Sequence, residues 1–433
     1  MNIAASSLLV VWGGLTVLAG PSSAQEIDRS EVERIITTLS ADDMEGRRVF
    51  SPGIERAARF IQEEFAAIEL ETLDGLDGYA QPFKMYSFAA ASSRVVLNGR
   101  AVPSDRYGVR VAQEAIHWTE KDDINLVRVG KDDDVMQLVL PVTNSDLNTL
   151  VLVHESHRSA FDRIKTFMSR PVNTMEVGTG ASFVLVLTGE SDVDSYEIVV
   201  TATVTERDLG NVVGVIPGRR RDEIVLFSAH YDHIGIRPPV NGDSIANGAN
   251  DDASGTTAVI SLAKYFKAMG RPERTLMFVA FTGEESGGYG SRYFSQQVDP
   301  DDIVAMFNIE MIGKPAKDGP NTAWITGFER SSFGRILQEA VDGTPYSFYP
   351  DPYPDRNLFY RSDNATLARL GVPAHSISTT PIDVDPDYHR VTDEVATLDL
   401  DHMTATIEAL AKGAATIVSG AATPTRVDAS QVN

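Results

Sequence analysis

The hydrophobic pattern changes twice along the chain and so separates three regions. Residues 54–70 place apolar side chains at helical spacing, which predicts an amphipathic helix. In residues 81–207 the apolar positions form short β-rich runs between Gly, Asp, Asn and Ser clusters. From residue 211 onward, short apolar runs alternate with helical stretches. This alternation predicts a three-layer α/β/α sandwich with a mixed, mostly parallel sheet.

Two sets of elements follow from this pattern. In the middle region we predict strands at 93–97, 125–129, 136–142, 150–153, 182–187 and 196–204. In the last region we predict strands at 211–216, 223–228, 276–281, 304–309 and 374–378, with helices at 254–269, 330–341 and 397–418. Functional sites in such sheets gather at the carboxyl ends of the strands, so the residues that follow these strands are the first candidates.

The same changes predict the domain boundaries. Residues 25–85 and 208–420 form the two parts of the main domain, residues 86–207 form an inserted β-rich subdomain, and residues 421–433 form a loose tail. Residues 1–24 contain an apolar run that is too short to favour a membrane span and that ends in small residues, which predicts a signal peptide. The protein is then secreted or periplasmic, with no membrane attachment after cleavage. No Lys or Arg precedes the run, so an uncleaved membrane anchor is the alternative.

Composition narrows the possible ligands. The 38 basic and 61 acidic residues give a formal net charge of -23, which argues against nucleic acid as a partner. The chain has no cysteine, so disulfides and thiolate zinc sites are excluded. Any metal must therefore be bound through His, Asp and Glu. The oligomeric state does not follow from the sequence.

Histidine and acidic residues stand at or near the ends of the predicted strands. They are His230, Asp251, Glu284, Glu285, Glu310 and His389. Either Asp251 or its neighbour Asp252 also suits the N-cap of the following helix. Nitrogen and carboxylate ligands without sulfur are typical of catalytic zinc, and a carboxylate can bridge two ions. Adjacent carboxylates at 284 and 285 are costly unless a cation compensates them, which leaves one of them free as a general base.

Five motifs resemble one known family. They are AHYDH at 229–233, NGANDDASG at 247–255, FTGEESGGYGS at 281–291, FNIEMIG at 307–313 and YHRVTDE at 388–394. LSADDMEGR at 39–47 and NVVGVIPG at 211–218 resemble flanking family segments. The chain thus resembles the co-catalytic zinc aminopeptidases, the family of aminopeptidase Y, glutamate carboxypeptidase and the transferrin receptor. The resemblance covers residues 39–82 and 211–419 and leaves the middle of the chain uncovered.

The resemblance implies two zinc ions per chain and a role for each candidate. His230 and Glu310 would bind one ion, Glu285 and His389 the other, with Asp251 as the bridge. Glu284 would be the general base for a zinc-bridged hydroxide that attacks the peptide carbonyl, and Asp232 would orient His230. Tyr388, Arg361 and Asp363 would contact the substrate.

Four positions qualify this picture. The family most often has Asp where this chain has Glu310, and His where it has Asn364. His233 is interpreted as a supporting residue rather than a ligand. Asp393 is expected to orient His389.

The predicted function is a zinc-dependent exopeptidase, most directly an aminopeptidase acting on peptides. A carboxypeptidase or dipeptidase is the alternative on the same scaffold, with Arg356 and Arg361 as candidates for the substrate carboxylate. A non-catalytic binding protein related to the transferrin receptor is disfavoured because the sequence lacks none of the expected ligands. A glutaminyl cyclase is disfavoured because the ligand set for two metals is complete.

Overall fold

The computed structural model describes residues 26–143, 145–190 and 193–432. The predicted signal peptide therefore lies outside the described residues. Among the described residues, no helix combines the length and the apolar character needed to span a bilayer.

The structure contains helices and strands in both the main domain and the insertion. The helices are α1 (Arg29–Leu39), α2 (Pro52–Ala67), α3 (Val135–Thr143), α4 (Arg158–Met168), α5 (Gly255–Ala268), α6 (Tyr289–Ser295), α7 (Phe333–Val341), α8 (Asn364–Ala368) and α9 (Leu400–Val418). The first nine strands in chain order are β1 (Ala80–Leu97), β2 (Arg100–Ala101), β3 (Tyr107–Arg110), β4 (Ala115–Thr119), β5 (Asn125–Val129), β6 (Thr149–His154), β7 (Val172–Thr174), β8 (Phe183–Thr188) and β9 (Tyr196–Ile216). The remaining strands are β10 (Arg220–His230), β11 (Gly235–Val240), β12 (Asp243–Ala246), β13 (Arg274–Phe281), β14 (Ile303–Ile309), β15 (Thr322–Ile325), β16 (Ser347–Pro350) and β17 (Ala374–Ser378).

The central sheet has the strand order β16-β15-β17-β14-β10-β13-β9-β1-β2. β10 runs parallel to both β13 and β14, and β14 runs parallel to β17. β9 and β15 join antiparallel to this parallel centre. Successive side chains of β13 alternate between two hydrophobic clusters, one packed against α1, α2, α5, α7 and α9 and the other against α6 and α8. The predicted α/β/α sandwich with a mixed, mostly parallel sheet is confirmed.

The insertion is an α/β unit rather than a purely β-rich one. Its own sheet has the order β3-β8-β6-β5, and α3 and α4 pack on it through a separate hydrophobic cluster. The predicted strand at 136–142 is wrong, because this segment lies in α3. Val135 and Val139, four residues apart, are buried while Leu138 is exposed, and the Asp134 carboxylate caps the helix by accepting from the backbone N–H of Met136. Helical spacing and a cap thus override the β propensity of the apolar run.

The strands that connect the insertion to the main domain are continuous. The two strands predicted at 196–204 and 211–216 form the single strand β9, whose hydrogen bonds to β1 extend from Ala80–Val212 to Leu97–Tyr196. The boundaries predicted after residues 85 and 207 consequently fall inside β1 and β9.

Residues 421–432, where the sequence predicts a loose tail, make specific contacts with the main domain. The Arg274 guanidinium donates to the carbonyl of Ala422 at 2.7 Å. Arg426 donates to the carbonyls of Pro300 at 2.9 Å and Ile303 at 3.0 Å, and Val427 is buried. These contacts hold the segment against the main domain. They could not be predicted from the small and polar residues of the segment itself.

Candidate metal centre and active site

Three parallel strands deliver candidate residues to one edge of the sheet. His230 is the last residue of β10 and pairs in register with Phe281, the last residue of β13. Glu284 and Glu285 follow in the turn after β13, and Glu310 follows β14 directly. Adjacent parallel strands end side by side, so their terminal side chains converge as expected for an open α/β sheet.

The two carboxylate oxygens of Asp251 face different groups. Oδ1 lies 3.3 Å from Nε2 of His230, which in turn lies 3.9 Å from Oε1 of Glu310. Oδ2 lies 3.2 Å from Nε2 of His389, which in turn lies 3.1 Å from Oε1 of Glu285. The structure therefore brings all five predicted ligands together, with Asp251 between two pairs that each contain one imidazole and one carboxylate.

This donor set fits a metal. Nε2 of His230 and Oε1 of Glu285 are buried, and their close contacts with Asp251, His233 and His389 do not have hydrogen-bond geometry. Leaving a buried polar atom unsatisfied costs about 1–3 kcal/mol, and coordination of an ion would satisfy these atoms. His233, Asp251 and Glu285 also offer three ligand atoms within 4.8 Å of one another. Imidazole and carboxylate donors without sulfur suit zinc at such a site.

Comparison with known proteins agrees with this geometry. Residues 211–414 match Peptidase family M28. The match covers slightly less than half of the chain. Leucine aminopeptidase 1 of Trichophyton rubrum is 31% identical over 215 residues, which are 45% of this chain and 54% of that protein. A probable zinc metalloprotease of Pyricularia oryzae is 40% identical over 89 residues, 20% of this chain and 17% of that protein. The chain thus spans about half the length of the leucine aminopeptidases it matches.

Two solved bacterial structures illustrate the likeness in fold. A zinc aminopeptidase from Bacillus subtilis superposes with a TM-score of 0.57 at 14% identity, covering 94% of this chain and 98% of that one. An aminopeptidase from Aneurinibacillus sp. strain AM-1 superposes with a TM-score of 0.55 at 18% identity, covering 91% and 94%. At these identities the likeness shows the fold, and it extends beyond the M28 match into the rest of the chain.

The loop before α5 assigns different tasks to the two adjacent aspartates. The residue at the N-cap of α5 is Ser254, so neither aspartate occupies that position, but the Asp252 carboxylate accepts from the backbone N–H of Gly255 at 2.9 Å. The same carboxylate accepts from the backbone N–H of His230 at 3.3 Å and of Met311 at 3.0 Å. Asp252 therefore connects the ends of β10 and β14 to the start of α5 through hydrogen bonds. The carboxylate of Asp251 instead contacts His230 and His389.

The pKa values of the candidate site residues reflect the many acidic groups around them. Burial alone would lower the pKa of His389, but its contacts with Asp251 and Glu285 raise that pKa to about 10. Burial raises the pKa of Glu310 to about 7. Burial, reinforced by the charge of Glu310, also raises the pKa of Glu284 well above its usual range. A cation placed among these buried carboxylates would stabilise their ionised forms.

Asp232 is in place beside His230, but its carboxylate makes a different contact from the one expected. Nδ1 of His230 lies 3.1 Å from the backbone carbonyl of Asp232 and 3.7 Å from the carboxylate. The carboxylate accepts from the backbone N–H of Glu284 at 3.0 Å, and burial raises its pKa to about 6. Asp232 thus links the imidazole to the turn that carries Glu284; that it orients His230 stays a prediction.

His233 and Asp393 support the metal centre from two sides. Nδ1 of His233 lies 2.9 Å from Oε1 of Glu285, and the ring is fully buried. Asp393 does not have the expected contact with His389. Its two oxygens accept from the backbone N–H groups of Asn250 at 2.9 Å and Asp251 at 3.0 Å, so it holds the loop that carries the Asp251 carboxylate.

Sequence reasoning missed the part played by Arg47. Its guanidinium is fully buried and donates to four backbone carbonyls. The acceptors are Leu39 at 2.7 Å, Tyr231 at 2.8 Å, Asn247 at 2.5 Å and Gly248 at 2.8 Å. The residue lies in the flanking LSADDMEGR segment, and that motif was the one signal that could have pointed to it.

A small cavity opens beside the metal centre. It has a volume of about 60 Å³, and its lining combines apolar side chains, among them Met311, Trp324 and Leu358, with polar and charged ones. Two predicted substrate residues, Tyr388 and Arg361, also line it, and the Tyr388 ring stacks on His389 with centroids 4.0 Å apart. The third, Asp363, is buried and borders a separate cleft beyond Glu284. Asn364, the other departure from the family pattern, donates to the carbonyl of Phe359 and so has a structural contact.

Proposed function

We propose that the protein is a zinc-dependent aminopeptidase that removes N-terminal residues from peptides, with two zinc ions per chain. The observation that carries this proposal is the placement of Asp251, whose two oxygens face two separate imidazole–carboxylate pairs. The names of the relatives, leucine aminopeptidase and zinc aminopeptidase, agree with it. His230 with Glu310 and His389 with Glu285 would hold one ion each, and Asp251 would contact both.

Zinc at this site would lower the pKa of a bound water and polarise the peptide carbonyl. Glu284 stands at the edge of the cavity and is assigned the proton transfers. It takes a proton from the attacking water and gives it to the departing nitrogen. Burial raises its pKa well above the usual range, which suits a group that accepts and then releases a proton. Asp232 holds the backbone of Glu284 in position.

Aminopeptidase selectivity would come from the small cavity beside the candidate metal ligands. The N-terminal side chain of the substrate would occupy this cavity, and the free amine would meet Glu310. An N-acetylated peptide places a neutral, larger group at that position and loses the charge attraction.

We further propose that the protein is exported from the cytoplasm and that the signal peptide is cleaved before Gln25. The mass of the mature chain, measured by mass spectrometry, tests this cleavage site.

Replacing Glu284 tests the proposed chemistry. Glu284→Gln keeps the size of the side chain but cannot accept a proton, so we expect kcat on Leu-p-nitroanilide to fall about 10²- to 10⁴-fold. Zinc content, measured by elemental analysis, should stay at two ions per chain. A variant with normal turnover and full zinc content contradicts the assignment of the base.

A dipeptidase is a second candidate because of the cleft beyond Glu284. This cleft has a volume of about 640 Å³, and Arg292, Arg361 and Arg369 line it. A guanidinium there could bind the terminal carboxylate of a short peptide. Leu-Ala and its C-terminal amide separate the two functions: a dipeptidase needs the free carboxylate, and an aminopeptidase cleaves both.

A further inference from the structure

A second cleft lies between the main domain and the insertion. Its volume is about 620 Å³, the size of cavities that enclose a ligand of several residues. It begins at Ser286, the residue after Glu285, so it starts next to the metal centre. Four arginines line it, and among its described lining residues none is acidic. They are Arg48, Arg170, Arg207 and Arg237.

These four arginines have no carboxylate partner among the described residues. Within the described residues, none of them makes a salt bridge or donates a side-chain hydrogen bond, in contrast with Arg34, which binds Glu64 at 2.7 Å. The contacts of two of them are with aromatic rings. The Arg207 guanidinium lies 5.1 Å from the ring of Phe50, and that of Arg170 lies 5.7 Å from the ring of Phe167. Their hydrogen-bond donors are therefore available to a ligand.

The strand β9 keeps carboxylates away from this cleft. Glu206 and Asp208 flank Arg207 in sequence, and successive side chains of a strand point to opposite faces. Both acids bind Lys84, at 2.8 Å and 2.7 Å. Arg207 faces the cleft from the other side of the strand. In a chain of net charge -23, this separation leaves a concentrated positive surface beside the metal centre.

We propose that this arginine cleft binds acidic residues of the peptide substrate that lie downstream of the cleaved bond, an inference that rests on the proposed function. Guanidinium groups bind carboxylates with two parallel hydrogen bonds, which gives both attraction and orientation. The four side chains come from four separate segments of the chain, which suits an extended peptide bearing several carboxylates better than one small anion. The turn after β13 places Glu284 at the cavity and Ser286 at the arginine cleft, so one substrate can contact both.

The inference gives the insertion a function. Arg170 follows α4, and Asn173 of β7 lines the same cleft. The hydroxyl of Tyr289, on α6, donates to the carbonyl of Asn173 at 3.4 Å, which joins this wall to the catalytic side. The insertion thus contributes one wall of the substrate path.

Two matched peptides test the inference. Leu-Ala-Ala-Asp-Asp-Asp and Leu-Ala-Ala-Asn-Asn-Asn differ only in charge. For the natural chain at low salt we expect the KM of the acidic peptide to be about three- to tenfold lower, with similar kcat, and the ratio to shrink in 0.5 M salt because screening shortens the range of the attraction. Arg207→Gln with Arg237→Gln should bring the ratio of KM values to about one. The control Arg335→Gln, an exposed residue of α7, should keep it.

The outcomes separate this inference from the proposed function. Turnover of both peptides with equal KM in the natural chain overturns the inference and leaves the aminopeptidase intact. If neither peptide is cleaved, the proposed function fails, and calorimetric binding of Ala-Ala-Asp-Asp-Asp then decides: binding that Arg207→Gln abolishes supports the cleft, and no binding rejects it. Binding of inorganic tripolyphosphate without discrimination between the peptides overturns the assignment to substrate.

Discussion

At the scale of single residues, Arg47 joins three segments that are far apart in the chain. Its carbonyl acceptors lie at the end of α1, directly after His230, and in the loop that carries Asp251. The backbone N–H of His233 donates to the carbonyl of Arg47 at 3.2 Å, which adds a further link to the same region. Arg47 therefore sets the distance between two elements that supply candidate metal ligands.

Removing this guanidinium should destabilise the fold strongly. Arg47→Met leaves buried carbonyl groups without donors, and we expect the free energy of unfolding to fall by about 3–5 kcal/mol. Urea denaturation measures the change. Arg335→Met, at an exposed site, should change the same quantity by less than about 0.5 kcal/mol. Equal stability of the two variants contradicts the role assigned to Arg47.

The size of the small cavity predicts the preferred N-terminal residue. A single water needs roughly 10–15 Å³ of such space, so about 60 Å³ admits roughly four to six nonhydrogen atoms. Leucine and methionine side chains fit this space and tryptophan does not. Leu-p-nitroanilide should have at least a tenfold higher kcat/KM than the Trp compound. Trp324→Ala should enlarge the cavity and narrow that difference, and an unchanged preference argues for another binding position.

The candidate metal ligands could be brought together from the sequence because each stands in a short motif that resembles a family segment, at or after a predicted strand. The geometry of Arg47 could not, since its partners Asn247 and Gly248 lie about two hundred positions away. The contact of Asp393 with the 250–251 backbone shows the same limit. Contacts to backbone groups leave no trace in the identity of the accepting residue.

At the scale of elements, apolar spacing predicted the parallel centre well and the insertion less well. β5 and β17 have the predicted bounds, because both are short apolar runs bounded by polar turns. α3 was predicted as a strand, because an apolar run of this length has both helical and β character until its burial is known. Whether such a run forms a strand depends on whether a neighbouring strand pairs with it. Pairing with β1 likewise joins the two strands predicted at 196–204 and 211–216 into the single strand β9.

One strand contains a histidine that should make the fold sensitive to acid. His375 of β17 is fully buried between the carbonyl of Thr326 at 2.8 Å and the hydroxyl of Ser331 at 2.7 Å. Burial lowers its pKa to about 4, whereas an unfolded chain protonates histidine near the ordinary pKa of about 6.5. The unfolded state therefore binds the proton first, and stability is lost as the pH falls from about 6.5 to 4, by up to about 3 kcal/mol.

The slope of stability against pH measures this contribution. In His375→Gln the unfolding free energy should be lower throughout, but its decrease between pH 6.5 and 4 should be less steep than in the natural chain. Denaturant titrations at several pH values give both slopes. Parallel slopes would show that another group dominates the acid response.

At the scale of the whole molecule, the sheet order and the arginine cleft lie beyond what the sequence could give. The family motifs imply a sandwich, but they do not indicate that β9 and β1 extend one edge of the sheet into the insertion. The arginines of the cleft come from positions 48 to 237, and no local pattern groups them. Their proximity depends on how the insertion packs against the main domain.

Zinc should stabilise the whole fold, since the site assembles only in the folded chain. At free zinc a hundredfold above the Kd, each ion should contribute about 2.7 kcal/mol. Calorimetry of chelated and zinc-reloaded protein should show the higher unfolding temperature in the reloaded sample, and magnesium should not restore it. His389→Ala should reduce the gain. An unchanged unfolding temperature argues against zinc binding at this site.

The 21-residue strand β9 also constrains how substrates enter. It is hydrogen-bonded to β1 over nearly its whole length, across both predicted boundaries of the insertion. A lid that turns about a flexible loop is therefore not the architecture of this junction. Any movement of the insertion toward or away from the metal centre must bend the paired strands β1 and β9. The width of the arginine cleft, which lies between the insertion and the main domain, should therefore vary little.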